Sequence, residues 1–357
     1  MSTPGVPPEG KKPFMEGVTA VRKAVKILMD RLAETPEMPK HPTFPPAPFA
    51  CAKRGEDGRQ TPQAIAHRGY KAKFPENTLL AFAGAVEEGA HAIEMDLHIS
   101  RDGVVVLSHD IDLKRCFGRD EKISDCDWEF LSTVRTVAEP HEPMPRLKDV
   151  LNYLQKPGLE DIWLILDIKL HDDPRDMVRL IAQTIEECTP SDKTWKDRIV
   201  LGCWAAQYVA LCNEYLPGFP IAYIGVSIKY ANRLLPIPNV SFSILQHALM
   251  TPSGRKFTRK VQAMQRPILS WTVNSDYAMK WCIRQKLDGV ITDNPKRFLE
   301  ICDHYDESSD KQRLTLKGLI GILRIMIFAT LFSIVFEWRH GKQLDKRWSS
   351  RAVEKKD

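Results

Sequence analysis

The sequence predicts an α/β protein built as an eight-stranded parallel (β/α)8 barrel, on two observations. Short β-branched runs occur eight times, at 64–68, 92–97, 163–168, 199–204, 221–226, 242–246, 268–273 and 289–292. Segments with helical periodicity separate most of them, as at 174–187, 205–215, 253–264 and 275–285. Strands that alternate with helices pair in parallel, because a parallel neighbour needs a long crossover. Eight such units close a barrel of the TIM type.

One further run, Val104 to Ser108, leaves no room for a crossover. It follows the second strand after Asp102-Gly103, a dipeptide that reads as a hairpin turn. The second barrel strand is therefore expected to run past the rim and fold back as a β-hairpin extension. If Asp102 and Gly103 are the two turn residues, His109 falls opposite Asp96.

The chain divides into three regions. Residues 1–60 are a Pro-rich extension with one amphipathic helix, marked by Val18, Val21, Val25, Leu28 and Leu32. That helix is expected to pack outside the main domain, the alternative being a membrane surface. Residues 61–305 form the barrel. Residues 306–357 hold an apolar run, Gly318 to Phe336, whose only charge is Arg324, followed by a basic tail. The run has about the length that crosses a bilayer core, with basic residues on both sides and Trp338 at its end. A membrane segment is the expectation, and a buried C-terminal helix the alternative.

Composition excludes little more. A net charge of +5, evenly spread, gives no argument for nucleic acid as a partner. The eight cysteines contain no CxxC pair, and no apolar leader follows the N-terminus. Reduced thiols and an intracellular location are expected.

The chemistry-bearing residues fall at strand ends, where barrels place their functional groups. The first strand ends in His67-Arg68-Gly69, a proton shuttle and a phosphate clamp in type. Glu76-Asn77-Thr78 opens the first helix, with Asn77 or Thr78 as N-cap and Glu76 facing either the site or the helix dipole. Glu94 and Asp96 share one strand face. Either a hard divalent cation holds that pair, or one member is exposed or salt-bridged. Asp167 and Lys169 share a face of the third barrel strand, and either complete the cation site and its phosphate counter-charge or form an internal ion pair. His109-Asp110 ends the returning arm and brings a second imidazole. Trp271, in Trp271-Thr272-Val273-Asn274, either lines the site or fills the barrel. Asp293, in Thr292-Asp293-Asn294-Pro295, is expected to shape the last loop.

These pieces, in this order, resemble the glycerophosphodiester phosphodiesterase family over about residues 61–303. The resemblance implies a barrel enzyme with catalytic histidines at His67 and His109. It implies one divalent cation, Mg2+ or Ca2+, on Glu94, Asp96 and Asp167, the last being Glu in many members. Arg68, Lys169, Glu76 and Trp271 are the expected substrate-binding residues. The stretch from Lys71 to Phe82, the Leu166-to-Lys169 strand and the apolar C-terminal run resemble most the fungal phosphatidylglycerol-specific phospholipase C branch. That branch implies hydrolysis of phosphatidylglycerol to diacylglycerol and glycerol phosphate. It also implies a protein on an intracellular membrane, its catalytic domain facing the cytosol and its C-terminal run contacting the bilayer. The alternatives are the same chemistry on soluble glycerophosphodiesters or lysophospholipids, and a catalytically silent lipid-binding barrel.

Overall fold

The computed structural model describes residues 43–54, 58–188, 194–306 and scattered positions between Met326 and Trp338. The Val18–Leu32 stripe lies outside the described residues. A short antiparallel pair, β1 (Lys53–Arg54) and β2 (Gln60–Thr61), precedes the barrel. The barrel opens with β3 (Gln63–His67) and β4 (Ala92–Ile99), and β5 (Val105–Leu107) folds back antiparallel on β4. It continues with β6 (Trp163–Ile168), β7 (Ile199–Cys203), β8 (Ile221–Gly225), β9 (Ser241–Leu245), β10 (Ile268–Trp271) and β11 (Gly289–Thr292). Neighbouring barrel strands are parallel, and β3 pairs with both β4 and β11, which closes the ring. Each barrel strand lies within two residues of a run expected from sequence.

Strand alternation sorts the barrel into two apolar layers. Ile93, Met95 and Leu97 of β4 face outward and pack with the surrounding helices. Ile65, Ala92, Ile165, Val200, Ala222, Leu269 and Ile291 fill the interior. The turn Pro48–Ala50 seals the N-terminal end. There Phe49 packs edge-on against Trp163, with ring centroids 5.6 Å apart. Gln63 ties the seal together: its Nε2 donates to Phe49 O, and its Oε1 accepts from Trp163 Nε1. With the lower barrel filled by apolar side chains, polar chemistry is confined to the opposite mouth.

The β4–β5 hairpin forms as expected, in a register shifted by one residue. Leu97 pairs with Leu107 and Ile99 with Val105. The loop has three residues, Arg101 to Gly103, closed by Ser100 N donating to Val104 O. Gly103 takes φ +84°, the left-handed position that a three-residue hairpin requires. The extra loop residue places Ser108, not His109, across from Asp96, with Ser108 N donating to Asp96 O at 3.1 Å.

Beyond β5 the chain makes a small lobe with its own apolar core, including Val106, Leu113, Phe117, Ile123 and Leu131. Arg115 docks that lobe on the first barrel loop. Its two terminal nitrogens donate to Glu76 at 3.0 and 2.8 Å, and its Nε donates to Asp110 at 2.6 Å.

The expectation for the C-terminal run is overturned. Among the described residues no helix is long and apolar enough to cross a membrane. Much of Gly318–Phe336 lies outside the described residues. Of its described positions, Phe336 is buried in the barrel core, edge-on to Tyr230 with centroids 5.2 Å apart. Ser333 Oγ donates to Val226 O. Phe336 thus faces the protein, while Ile327, Leu331 and Ile334 are exposed. The C-terminal membrane segment, the membrane surface as a partner and the membrane-associated location all rested on that run, and they fall with it.

The Arg115 contact generates a stability prediction. The Glu76 side chain is 8% exposed. Burial alone would raise its pKa, but Arg115, Arg68 and Lys71 outweigh burial and lower it to about 2. A depressed carboxyl stabilises the fold fully above the unfolded carboxyl pKa, and that contribution is lost as pH falls through the folded value. The stability gap between wild type and Glu76→Gln should therefore be on the order of 3 kcal/mol at neutral pH, as an upper figure. It should shrink as pH falls from about 4.5 towards about 2. Urea unfolding across that range checks it, and a gap independent of pH would contradict the assignment.

Candidate active site

The site begins with two backbone positions that admit few residues. Arg68 (φ +59°) and Gly69 (φ +85°) turn the chain sharply at the end of β3. A Cβ on Gly69 would stand 2.7 Å from the Ala81 backbone, so the turn can close only on glycine. Thr78 caps the helix that starts at Leu79, its Oγ1 accepting from Ala81 N. Asn77 is thereby left for another task. Its Nδ2 donates to Asp96 Oδ2 at 2.9 Å, and its Oδ1 accepts from Asp96 N.

Strand register assembles the carboxylates. Asp96 of β4 lies directly across from Asp167 of β6, and Glu94 lies across from His67. Glu94, Asp96 and Asp167 are all buried, and each offers an oxygen within 4.8 Å of the others'. Two cations share the cluster. Arg68 Nε is 3.0 Å from Asp96 Oδ2, and Lys169 Nζ lies 2.6 Å from Asp96 Oδ1 and 2.5 Å from Asp167 Oδ2.

Two cations face three carboxylates in this cluster. Burial, then the Asp96 and Asp167 charges, push the Glu94 carboxyl well above its usual range. Burial would raise Asp96 too, but Lys169 and Arg68 override it and hold that carboxyl below its usual range. Burial disfavours the Lys169 ammonium, yet Asp167 and Asp96 raise its pKa. Buried Asp96 Oδ1 accepts no hydrogen bond and is contacted by the Lys169 ammonium as an ion pair at 2.6 Å. An all-oxygen donor set of three buried carboxylates, one oxygen of which accepts no hydrogen bond, fits a hard divalent cation. The cluster could coordinate one.

Each imidazole at the mouth is backed by a carboxylate. His67 Nδ1 is 2.6 Å from Asp293 Oδ1, and His109 Nδ1 is 2.8 Å from Asp110 Oδ1. A proton on Nδ1 bonded to the carboxylate leaves Nε2 available for chemistry. Burial lowers the His67 pKa, the Asp293 contact opposing it. His67 lies across from Glu94, and His109 follows Ser108, whose N–H donates to Asp96 O, which places both around one cluster.

The expected site residues occupy two kinds of position. Glu94, Asp96, Asp167, Lys169, Arg68 and His67 form the buried floor, with His109 on the rim. Glu76 lies one layer out, bound by Arg68 Nη1 at 2.8 Å and by Arg115. Trp271 donates its indole N–H to Ser243 O and packs edge-on against Trp204 at 5.6 Å.

Three residues escaped sequence reasoning. Asp293, expected to shape a loop, backs His67 and is itself fixed by Asn274 Nδ2 at 2.8 Å. Trp204 Nε1 donates to Asp167 Oδ1 at 2.7 Å. Arg115 joins Asp110 to Glu76. Asp293 and Trp204 each sit just past a barrel-strand end, a position that could have flagged them. Arg115 lies in the lobe and carried no such signal.

The arrangement can take a proton from one oxygen, give one to another and neutralise an anion between them. Comparison with known proteins agrees. Residues 67–297 match the model of the glycerophosphoryl diester phosphodiesterase family. A glycerophosphodiester phosphodiesterase of Bacillus altitudinis is 25% identical over 246 residues, 66% of this chain and 96% of that protein. Among solved structures, the glycerophosphodiester phosphodiesterase of Thermotoga maritima superposes with a TM-score of 0.54 at 28% identity, covering 67% of this chain and 98% of that one. An Oleispira antarctica phosphodiesterase, solved with the product sn-glycerol-3-phosphate, shares the fold with a TM-score of 0.58 at 21% identity, covering 68% and 97%. None of these three belongs to the fungal phosphatidylglycerol-specific branch. The chain belongs to the glycerophosphoryl diester phosphodiesterase family and is a hydrolase of phosphoric diesters.

Proposed function

We propose that the protein hydrolyses soluble glycerophosphodiesters to glycerol phosphate and an alcohol, using His67 and His109 as acid and base. The observation that carries this reading is the pair of carboxylate-backed imidazoles around one buried carboxylate cluster. The Oleispira antarctica enzyme, which holds sn-glycerol-3-phosphate, supports the choice of substrate. Phosphatidylglycerol loses its main support with the C-terminal membrane segment.

Glu94, Asp96 and Asp167 would hold Mg2+ or Ca2+, both hard cations suited to carboxylate oxygens. When bound, the ion supplies charge neutralisation for the phosphate oxygens. Arg68 and Lys169 add fixed positive charge on the same side. Trp271 offers an apolar ring to the glycerol carbons. One imidazole takes the proton of the glycerol 2-hydroxyl as it attacks phosphorus, and the other protonates the departing alcohol oxygen. The cyclic glycerol phosphate so formed is opened by water with the two roles reversed. Attack from within the substrate removes the cost of positioning an outside nucleophile, with about 7–11 kcal/mol as the ceiling for ideal geometry.

Two outcomes are expected. His67→Ala and His109→Ala should each lower kcat by about two to four orders of magnitude while leaving the melting temperature near that of wild type. A near-normal rate in either variant would remove that residue from the chemistry. In a panel of glycerophosphocholine, its 2-deoxy analogue and phosphatidylglycerol vesicles, glycerophosphocholine should turn over fastest and the deoxy analogue should be nearly inert. Preference for the vesicles would overturn the substrate class, and rapid cleavage of the deoxy analogue would overturn internal attack.

A further inference from the structure

We propose that Trp204 is a positioning residue for the cation site, fixing Asp167 as a ligand through its indole N–H. The inference rests on the reading that Glu94, Asp96 and Asp167 hold a divalent cation. Asp167 has a short arm, and its backbone is pinned in register between Asp96 of β4 and Gly202 of β7. Its carboxylate plane can still turn, so some contact must set it. Two do: Lys169 Nζ holds Oδ2 at 2.5 Å and Trp204 Nε1 holds Oδ1 at 2.7 Å. Lysine swings on a long flexible stem, whereas an indole is rigid.

The Trp204 ring is itself held on several sides. It follows the last residue of β7 and continues the inward alternation of Val200 and Gly202. Its ring meets Trp271 edge-on at 65°, and the Lys169 ammonium stands 5.8 Å from its centroid. Trp271 is anchored by Ser243 O. A donor so constrained selects which oxygen lone pairs of Asp167 face the cluster. Outer partners of this kind typically change metal affinity by about 10- to 100-fold when removed.

The test is Mn2+ binding by isothermal titration calorimetry to the full chain and to Trp204→Phe. Phenylalanine keeps an aromatic ring against Trp271 while removing the N–H donor and part of the indole's volume. The expected result is Mn2+ affinity about 10- to 100-fold weaker in Trp204→Phe, with the metal-free melting temperature unchanged. Equal affinity in the two proteins overturns the positioning role and leaves the cation site standing. No binding to wild type overturns the cation reading and this inference together. If Trp204→Phe does not fold, the wild type carries the test through its eight tryptophans, labelled at the indole nitrogen. One indole N–H resonance should move on adding Mg2+, and a spectrum with none moving overturns the proposal.

Discussion

Three carboxylates buried within a few ångströms of one another set the terms for the rest of this molecule. Like charges at that distance cannot all ionise in a low-dielectric interior without compensation. Glu94, Asp96 and Asp167 are brought together by parallel register alone, since β4 lies beside β6 with Asp96 across from Asp167. The surrounding residues answer that charge. Arg68 and Lys169 supply cations, and Asn77 and Trp204 supply neutral donors. Burial, with the Asp96 and Asp167 charges beside it, still raises the pKa of Glu94.

From that floor a chain of charged contacts leads outward. Asp96 holds Arg68, Arg68 holds Glu76, Glu76 holds Arg115, Arg115 holds Asp110, and Asp110 holds the His109 ring. The lobe beyond β5 is thus registered to the carboxylate cluster through alternating signs. His67, at the end of β3, is set by Asp293 just past the adjacent β11, which Asn274 fixes in turn. The two imidazoles come from different parts of the chain but reach the same arrangement, Nδ1 on a carboxylate and Nε2 left over. That common geometry fits a reaction in which acid and base exchange roles.

Much of this was legible in the sequence, for reasons of period. Short β-branched runs between helical segments mark strands, so the eight barrel strands could be read directly, and the strand period of two puts Glu94 and Asp96 on one face. Thr78 and Asn77 were equally good caps on paper. Only the left-handed turn at Asn77 decides that Thr78 caps and Asn77 serves Asp96. The hairpin was visible, but its register depended on one loop residue, Arg101, that sequence could assign to strand or turn. Contacts such as Asp293 to His67 or Trp204 to Asp167 depend on barrel closure and on neighbouring strands in space. The C-terminal run misled because apolar length in sequence does not show that a continuous apolar helix forms: among the described residues no helix is long and apolar enough to cross a membrane.

The proposed chemistry requires the carboxylate cluster to be a cation site and not merely a salt-bridged group. Equilibrium dialysis of the full chain against Mg2+ and Ca2+, followed by metal analysis, tests this most directly. One divalent ion per chain in wild type, and far less in Asp96→Asn at unchanged secondary structure, is the predicted result. A wild-type protein that retains no ion at millimolar concentrations, yet hydrolyses glycerophosphodiesters in excess chelator, would contradict it.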